Sequence, residues 1–446
     1  MIKPLLADDT ICALASGAPP SAIAIIRVSG PAAAEWLITQ SRRTDIEPRH
    51  ATLMDLKDPD GVQIDRALLL WMPGPQSYTG EDVLEIHLHG GQGVLEHALE
   101  TLTSWPGIRL AEPGEFTRRA FYNGKLDLTQ AEGIADLIES ETRAQKDQAL
   151  CQTEGALSDL YEGWKTKLQN ALALLEVSID FPDESEAPET VSKPVLEILD
   201  ALEEHFVDAL REGEIDQRVR NGFRVAILGE PNAGKSTLLN FFARRPAAIV
   251  TDLPGTTRDI VEVRCRLGGH IIWFQDTAGI RETDDVIEQE GIDRSRHAAE
   301  TADLRLFLLP PGSEAPPLPH IKQETDLVIQ TKMDLSSNVS LTSGMPAISA
   351  KTGQGCAELE DLIAGRIQEK LGGRTAPVLT RARHRAAIDS GLENLRQAKV
   401  VLTTDLGAEL ASESLRTAVH SLQSLLGVID IDDILDDVFS EFCIGK

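Results

Sequence analysis

Aromatic side chains are scarce, at 4% of 446 residues, so any core must be built from Leu, Ile, Val and Ala. Apolar residues still make up 42% of the chain, and its length leaves room for two to four domains. Cysteine is sparse too. The five present (Cys12, Cys151, Cys265, Cys356 and Cys443) are odd in number and scattered, with no CxxC pair. That excludes a disulfide framework, a zinc pair and a redox dithiol, and it points to a cytoplasmic location. Long apolar runs are missing: stretches such as Ala22 to Ile26 are far too short to span a bilayer. The opening MIKPLLADDT has no apolar region of the kind a signal peptide needs. Positive charge is in deficit, with 43 Lys and Arg against 71 Asp and Glu, a formal net charge of −28. Such a chain repels phosphate backbones at long range. A nucleic-acid substrate would need a partner or a local basic patch to hold it.

Along the chain, the first ~120 residues alternate short apolar runs (Ile23–Val28, Ala67–Trp71, Val83–Leu88) with Gly and Pro, the pattern of an α+β domain. From about Leu126 to Ile179 the spacing changes. Leu157, Leu160, Trp164, Leu168, Ala171 and Leu175 follow steps of three and four, which predicts one face of a long helix. Asp180 to Thr190 is acidic and broken by proline, a solvated loop, and helical pattern resumes from Val195 to Leu210. From Gly222 the texture is strand, loop, helix. Phe223–Leu228, Ile271–Phe274, Leu304–Leu309 and Leu327–Ile329 read as buried strands of a parallel α/β sheet. Helical pattern returns after about Leu371, with Ile388, Leu392 and Leu395 on one face. The expected architecture is multidomain α/β. An N-terminal α+β domain spans 1–122, and a helical domain (123–220 and 372–446) is interrupted by an inserted Ras-like P-loop domain at 221–371.

The inserted domain carries the chemistry. Gly229-Glu-Pro-Asn-Ala-Gly234-Lys235-Ser236 fits GxxxxGK[ST] directly after a strand and before an apolar helix starting near Thr237. Backbone N–H groups of such a loop, here including Asn232, Ala233 and Gly234, wrap phosphates. Lys235 neutralises the β- and γ-oxygens, and the Ser236 hydroxyl ligates Mg²⁺. Asp276-Thr277-Ala278-Gly279 follows the next strand, bringing a carboxylate near Mg²⁺ and a glycine amide for the γ-phosphate. Between the two motifs, Thr251-Asp252-Leu253-Pro254-Gly255-Thr256-Thr257 offers a threonine, Thr257, for the Mg²⁺ shell. Thr331-Lys332-Met333-Asp334 ends a strand, and Ser349-Ala350-Lys351 follows another apolar pair. A carboxylate at Asp334 can accept from both the ring N1–H and the exocyclic amine of guanine, a pair that adenine does not offer. Four ordered motifs at the right strand ends predict a GTPase binding GTP and GDP.

Two positions depart from the small-GTPase pattern. Thr331 stands where Asn is usual, and losing amide contacts there is worth about 1 kcal/mol. Ile280 stands where Ras-like proteins place the water-orienting Gln, so the attacking water needs another orienting group and the transition state another cation.

The stretches PNAGKSTLLN, IVTDLPGTTRD and DTAGIRE resemble the TrmE–Era–EngA branch of GTPases. SYTGEDVLEIHLHGG, PGEFTRRAFYNGKLDLTQAEGIADLI and the terminal FCIGK narrow the resemblance to the MnmE (TrmE) family of tRNA-modification GTPases, over essentially the whole chain. The resemblance implies K⁺ held by Asn232, Thr251, Leu253 (backbone) and Thr256, in the place of an arginine finger. It implies catalytic roles for Lys235, Asn232 and Glu288, with Glu288 orienting water through a second water. K⁺ assembly in turn implies a homodimer of facing GTPase domains. The N-terminal domain is similar to folate-binding domains. The positions implied to contact a 5-formyl- or methylene-type tetrahydrofolate are Arg27, Glu85, Lys125 and Lys446. Where the family often has a glycine- and arginine-rich loop, this chain has GAPPSAIA (Gly17–Ala24). The implied activity, with the flavin-dependent partner MnmG in a heterotetramer or larger complex, is modification at C5 of the wobble uridine of certain tRNAs. The group added is carboxymethylaminomethyl or aminomethyl, and tRNA is held through the complex. An Era/EngA-type ribosome-assembly GTPase is the alternative that the nucleotide motifs alone leave open.

Two further features stand apart. His87 and His89 form HxH on one face of a predicted strand, without a third metal ligand in sight. Cys443, near the terminal Lys446, is either a thiol activated by that cation or a small packed residue at a helix end.

Overall fold

The computed structural model describes residues 9–180, 188–244, 249–251, 262–276, 296–313, 322–335, 345–371, 379–404, 407–429, 432–440, 442 and 444–445. The chain divides into two compact units. One comprises Met1–Ala135, Gln152–Phe206 and Ala386–Lys446; the other comprises Asp136–Cys151 and Val207–Arg385.

The first unit begins with β1 (Thr10–Leu14), β2 (Ile23–Ser29), α1 (Ala32–Ser41), β3 (Ala51–Lys57), β4 (Gln63–Met72), β5 (Val83–His89), α2 (Gln92–Thr103), β6 (Ile108–Leu110) and α3 (Glu115–Tyr122). The strands form one sheet in the order β3-β4-β5-β2-β1-β6. It is antiparallel except for the parallel pair β1 and β6. Alternation along the strands sorts side chains to two faces. Ala24, Ile26 and Val28 of β2, like Leu84, Ile86 and Leu88 of β5, are buried, and most of them join Trp36 and Leu95 of α1 and α2 in one core. Arg27, Glu85 and His87 therefore fall on the other face. There a smaller cluster of Ile11, Ala13, Ala111 and Phe116, with Tyr78 against it, sets their surroundings.

The chain continues through α4 (Leu128–Glu139), α5 (Arg143–Thr153), α6 (Ala156–Asp180) and α7 (Pro188–Asn221). The buried seam of α6 is Leu157, Tyr161, Trp164, Leu168, Ala171 and Leu175. Tyr161 takes the place expected for Leu160, because steps of four then three keep the seam in line over the whole helix. Helical structure resumes at Pro188, earlier than Val195. Residues 181–187 of the expected loop lie outside the described residues.

The second sheet is built from β7 (Phe223–Gly229), followed by α8 (Lys235–Ala243), then β8 (Ile249–Thr251), β9 (Glu262–Leu267), β10 (His270–Asp276), β11 (Leu304–Leu309) and β12 (Leu327–Gln330), with α9 (Cys356–Leu371) after them. Its order is β12-β11-β7-β10-β9-β8. The four strands read from the sequence are parallel, whereas β9 and β8, which the sequence reading passed over, continue the sheet antiparallel. β9 alternates charged and apolar residues (EVRCRL), so only half its side chains look like strand core. Three helices close the chain: α10 (Ala382–Thr403), α11 (Ala408–Leu426) and α12 (Asp432–Ser440). Ile388, Leu392 and Leu395 of α10 are buried, as their spacing predicts. α11 packs along α6, and α12 sits against α3. An α+β domain, a helical domain and an inserted P-loop α/β domain are thus all present. No described helix is long and apolar enough to cross a membrane.

Candidate functional site

The turn from β7 to α8 is a phosphate loop in its backbone as well as its sequence. Asn232 and Gly234 both adopt positive φ, 65° and 103°, a left-handed pair that turns successive N–H groups inward as an anion-binding nest. Gly229 is required at the entry. A Cβ there would stand 2.9 Å from the Ala233 Cβ and 3.1 Å from the Leu308 carbonyl oxygen. Lys235 is buried, and its Nζ donates to the carbonyl oxygens of Gly229 at 2.8 Å and Glu230 at 3.2 Å. Burial pushes its pKa down, against the opposing pull of Asp276. The ammonium is thus cradled at the loop by weak dipoles that phosphate oxygens can outcompete.

Beside it, the Ser236 hydroxyl donates to Asp276 Oδ2 at 3.2 Å. The other carboxylate oxygen, Oδ1, is buried with no hydrogen-bond partner among the described residues. Burial raises the Asp276 pKa, while Lys235 and Ser236 pull it back. A desolvated carboxylate with an unsatisfied oxygen next to a serine hydroxyl is a donor set that fits a hard divalent cation such as Mg²⁺.

The base-recognition end is a cavity of about 190 Å³ lined by Gly234, Thr237, Thr331, Lys332, Asp334 and Lys351, among others. Ser349 donates its hydroxyl to Asp334 Oδ1 at 2.7 Å, holding the carboxylate in place and its pKa below the ordinary range. Backbone pairing fixes the two loops to each other: Ile348 N–H donates to Gln330 O at 2.8 Å and Met333 N–H to Ile348 O at 3.2 Å. Thr331 is buried, and its hydroxyl donates to the Ala233 carbonyl at 2.7 Å. A contact from the base loop to the phosphate loop is therefore made by this hydroxyl, although the amide expected at that position is missing.

A second cluster lies on the open face of the N-terminal sheet. Arg27 and Glu85 are direct partners across β2 and β5, and Ala13 of β1 is in register with Arg27. Arg27 Nη2 and Nε donate to Glu85 Oε1 at 2.9 and 3.1 Å, with both side chains 17% exposed. The guanidinium also lies over Tyr78 at 5.3 Å and Phe116 at 5.8 Å from the ring centres. His87 Nε2 is 3.7 Å from Glu85 and has no hydrogen-bond partner among the described residues. Lys125 lies beside Gly80: its Cγ is 3.5 Å from where a Cβ on Gly80 would stand. Beneath them runs a continuous polar network. Arg119 bridges Asp9, Glu81 and Glu115, and Glu81 accepts from Ser29. The chain's end comes to the same place. Ile444 bridges Pro113, and a Cβ on Gly445 would meet the Leu14 carbonyl oxygen at 2.0 Å, so only glycine fits there.

Comparison with known proteins gives the family. Residues 10–125 match the family model for the N-terminus of the GTP-binding protein TrmE, and residues 128–443 match the MnmE helical domain. The tRNA modification GTPase MnmE of Hyphomonas neptunium is 51% identical over 442 residues, 99% of this chain and 100% of that protein. Its namesake from Maricaulis maris is 47% identical over 441 residues, covering 98% and 100%. The chain belongs to the MnmE family of tRNA modification GTPases. Among solved structures, Era of Aquifex aeolicus bound to GDP and aluminium fluoride is 25% identical, covers 39% of this chain and 66% of that one, and has a TM-score of 0.28. End-to-end coverage by MnmE relatives decides against the Era/EngA alternative.

Within this MnmE-family chain, several residues expected at the sites lie outside the described residues. They are Asp252, Leu253, Pro254, Gly255, Thr256, Thr257, Thr277, Ala278, Gly279, Glu288, Cys443 and Lys446; Thr251 ends β8 by its backbone. Asn232, Ala233, Gly234, Lys235, Ser236 and Asp276 come together at one end of the nucleotide site, and Thr237, Thr331, Lys332, Met333, Asp334, Ser349, Ala350 and Lys351 at the other. Sequence reading missed Tyr78 and Phe116, which Arg27 lies over, and Arg119, which binds Glu81. Tyr78 lies within SYTGED and the other two within GEFTRRAF, but neither segment's spacing says which side chains turn inward. His87 and His89 part company: His89 Nδ1 is 2.8 Å from Asp65 and exposed. No group of three or more metal-ligating side chains exists among the described residues.

Proposed function

We propose that this chain is a K⁺-stimulated GTPase that works with a flavin-dependent partner, MnmG, to modify C5 of the wobble uridine of certain tRNAs with a folate one-carbon unit. The GTPase half rests on one observation: the buried, half-satisfied Asp276 carboxylate beside the Ser236 hydroxyl and Lys235. Ser236 and Thr257 would hold Mg²⁺, with Asp276 alongside, and the ion would neutralise phosphate charge when bound. Lys235 and the loop N–H groups hold the β- and γ-phosphates, while Asp334 reads guanine. Water attacks the γ-phosphorus, the bond to the β–γ bridging oxygen breaks, and GDP leaves with phosphate. Glu288 orients that water, a burden that Ile280 cannot carry. Asn232, Thr251, Leu253 and Thr256 would hold K⁺, which would supply cation charge at the transition state in a homodimer of facing GTPase domains.

Arg27, Glu85, Lys125 and Lys446 take a 5-formyl- or methylene-type tetrahydrofolate. The reading is supported by the Arg27–Glu85 pair on the open sheet face and by Gly445, the residue before Lys446, lying against Leu14. A carboxylate there suits the pterin N–H edge and the cations suit the ligand's carboxylates. The partner carries flavin chemistry and most of the tRNA contact, which suits a chain of net charge −28. The working division is 1–122 for folate and dimerisation, 123–220 and 372–446 for the helical domain and 221–371 for the GTPase, in the cytoplasm. Steady-state GTP hydrolysis of the wild type and Glu288→Ala in KCl and NaCl tests the account. Faster turnover in K⁺, with Glu288→Ala roughly 10²-fold slower at unchanged GTP affinity, is expected. Equal rates in the two salts remove Asn232 from its role, and unchanged turnover in the variant removes Glu288.

A further inference from the structure

We infer that Glu141 is a positioning residue for GTP hydrolysis: by gripping Arg264 and Arg266 it fixes β9, and through β9 the Asp276 end of β10, against the phosphate loop. The inference rests on the GTPase reading of that loop.

Strand β9 has two unlike faces. Val263, Cys265 and Leu267 enter the core of the sheet, while Glu262, Arg264 and Arg266 face away from it. On its outer side β9 pairs, among the described residues, with β8.

Both arginines of that face bind the Glu141 carboxylate. Arg264 donates Nη1 and Nη2 to the two oxygens of Glu141 at 3.0 and 2.8 Å, a bidentate pair. Arg266 adds Nη2 and Nε to Glu141 Oε2 at 3.0 and 3.3 Å. The Arg264 guanidinium holds the Glu141 carboxyl below the usual range. Exposure of 18% for Arg264 and 33% for Glu141 makes this pair stiffer than a fully solvated one without the cost of deep burial.

Glu141 is itself anchored. It lies in the turn between α4 and α5, where Gln145 Oε1 accepts from the N–H groups of Glu141 and Thr142 at 3.0 and 3.2 Å. Gln145 Nε2 donates in turn to Arg220 O at 2.8 Å, at the last turn of α7 before β7 begins. The other side of the clamp reaches β10. Arg264 lies over the Trp273 ring at 5.6 Å, and Trp273 Nε1 donates to Asn221 O at 2.9 Å. At the site end, Gln275 Nε2 donates to Glu262 Oε1 at 2.7 Å, tying the first residue of β9 to the neighbour of Asp276. From Trp273 to Asp276 is about 10 Å of strand at 3.3 Å per residue.

Removing the Glu141 charge takes away the carboxylate that both guanidiniums share, while the core face of β9 keeps the sheet folded. The effect therefore falls on position more than on folding. Displacement of about 1 Å at a reacting centre is worth up to roughly 10²-fold in rate. The base pocket is held separately by Ser349 and Thr331.

The test is GTP hydrolysis by the full chain with Mg²⁺ and K⁺, comparing wild type, Glu141→Gln, Arg264→Gln and the double variant. Fluorescent-GDP binding and thermal melting are run on the same preparations. The expected result is a kcat roughly tenfold lower in Glu141→Gln, KM and GDP affinity within about twofold, and no further loss in the double variant. Should Glu141→Gln fail to fold, Arg264→Lys keeps the charge, loses the fork and is expected to slow kcat alone. Wild-type turnover in Glu141→Gln, equal loss of affinity and rate, or additive losses in the double variant would overturn the inference. A wild-type chain without GTPase activity would instead sink the GTPase reading.

Discussion

The nucleotide site and the Arg27–Glu85 cluster are both charged, yet they stand ready in opposite ways. At the nucleotide site, capacity is left unspent: Lys235 rests on carbonyl oxygens, and one oxygen of Asp276 has no partner among the described residues. In the N-terminal cluster the charges are already matched. Arg27 is locked to Glu85, and Arg119 is shared among three carboxylates. A ligand that brings its own charge and metal needs a site with open valences. A ligand that is mostly ring and amide can be met by a pre-paired, oriented surface, at the cost of competing with the pair it meets.

The difference can be broken most sharply at Asp276. Asp276→Asn is expected to lower Mg²⁺-dependent hydrolysis roughly 10²–10³-fold. The same change removes a desolvated carboxylate whose pKa is raised, so the nucleotide-free protein should melt no lower than wild type. A lower melting temperature would show that Asp276 is matched after all. Glu85→Gln should do the reverse. Leaving Arg27 without its partner should lower the melting temperature and weaken 5-formyl-tetrahydrofolate binding by about tenfold in calorimetry. Unchanged folate binding would take Glu85 out of the site.

Acid titration sharpens the same contrast. Glu115, bound by Arg109 and Arg119, has its pKa held down to about 2 from 4.5. A carboxylate depressed in the folded state contributes stability above its unfolded pKa and loses it as pH falls. That contribution, of the order of 3 kcal/mol, should therefore disappear between about pH 4.5 and 2, and Glu115→Gln should flatten the loss. The smallest expected effect is at Thr331. Thr331→Val should weaken GTP and GDP about fivefold, the worth of one neutral hydrogen bond, and Thr331→Ser should restore it. No change would mean that the contact to Ala233 does not shape the pocket.

Legibility in the sequence follows the same division. The phosphate loop is eight consecutive residues whose glycines and lysine have to be where they are. Its strand, its helix and the matching Asp276 and Asp334 could therefore be read from order alone. The N-terminal cluster is assembled by strand register from residues 58 positions apart, and isolated arginines and glutamates carry no signal of that. Only resemblance pointed to Arg27 and Glu85, and it did not single out Tyr78, Phe116 or Arg119. Strand β9 escaped notice because its charged face looks like surface until Glu141 is set against it. The long-helix seam was legible except for one residue, since Leu160 and Tyr161 are both apolar enough to fit until packing chooses.

The most direct test of the whole account is mass spectrometry of tRNA nucleosides from cells lacking this gene, complemented by wild type or by Lys235→Ala. Loss of C5-modified wobble uridines, restored by the wild type but not by the Lys235→Ala chain, is the result the account requires. Modified uridines unchanged by deletion, or restored equally by the Lys235→Ala chain, would contradict it.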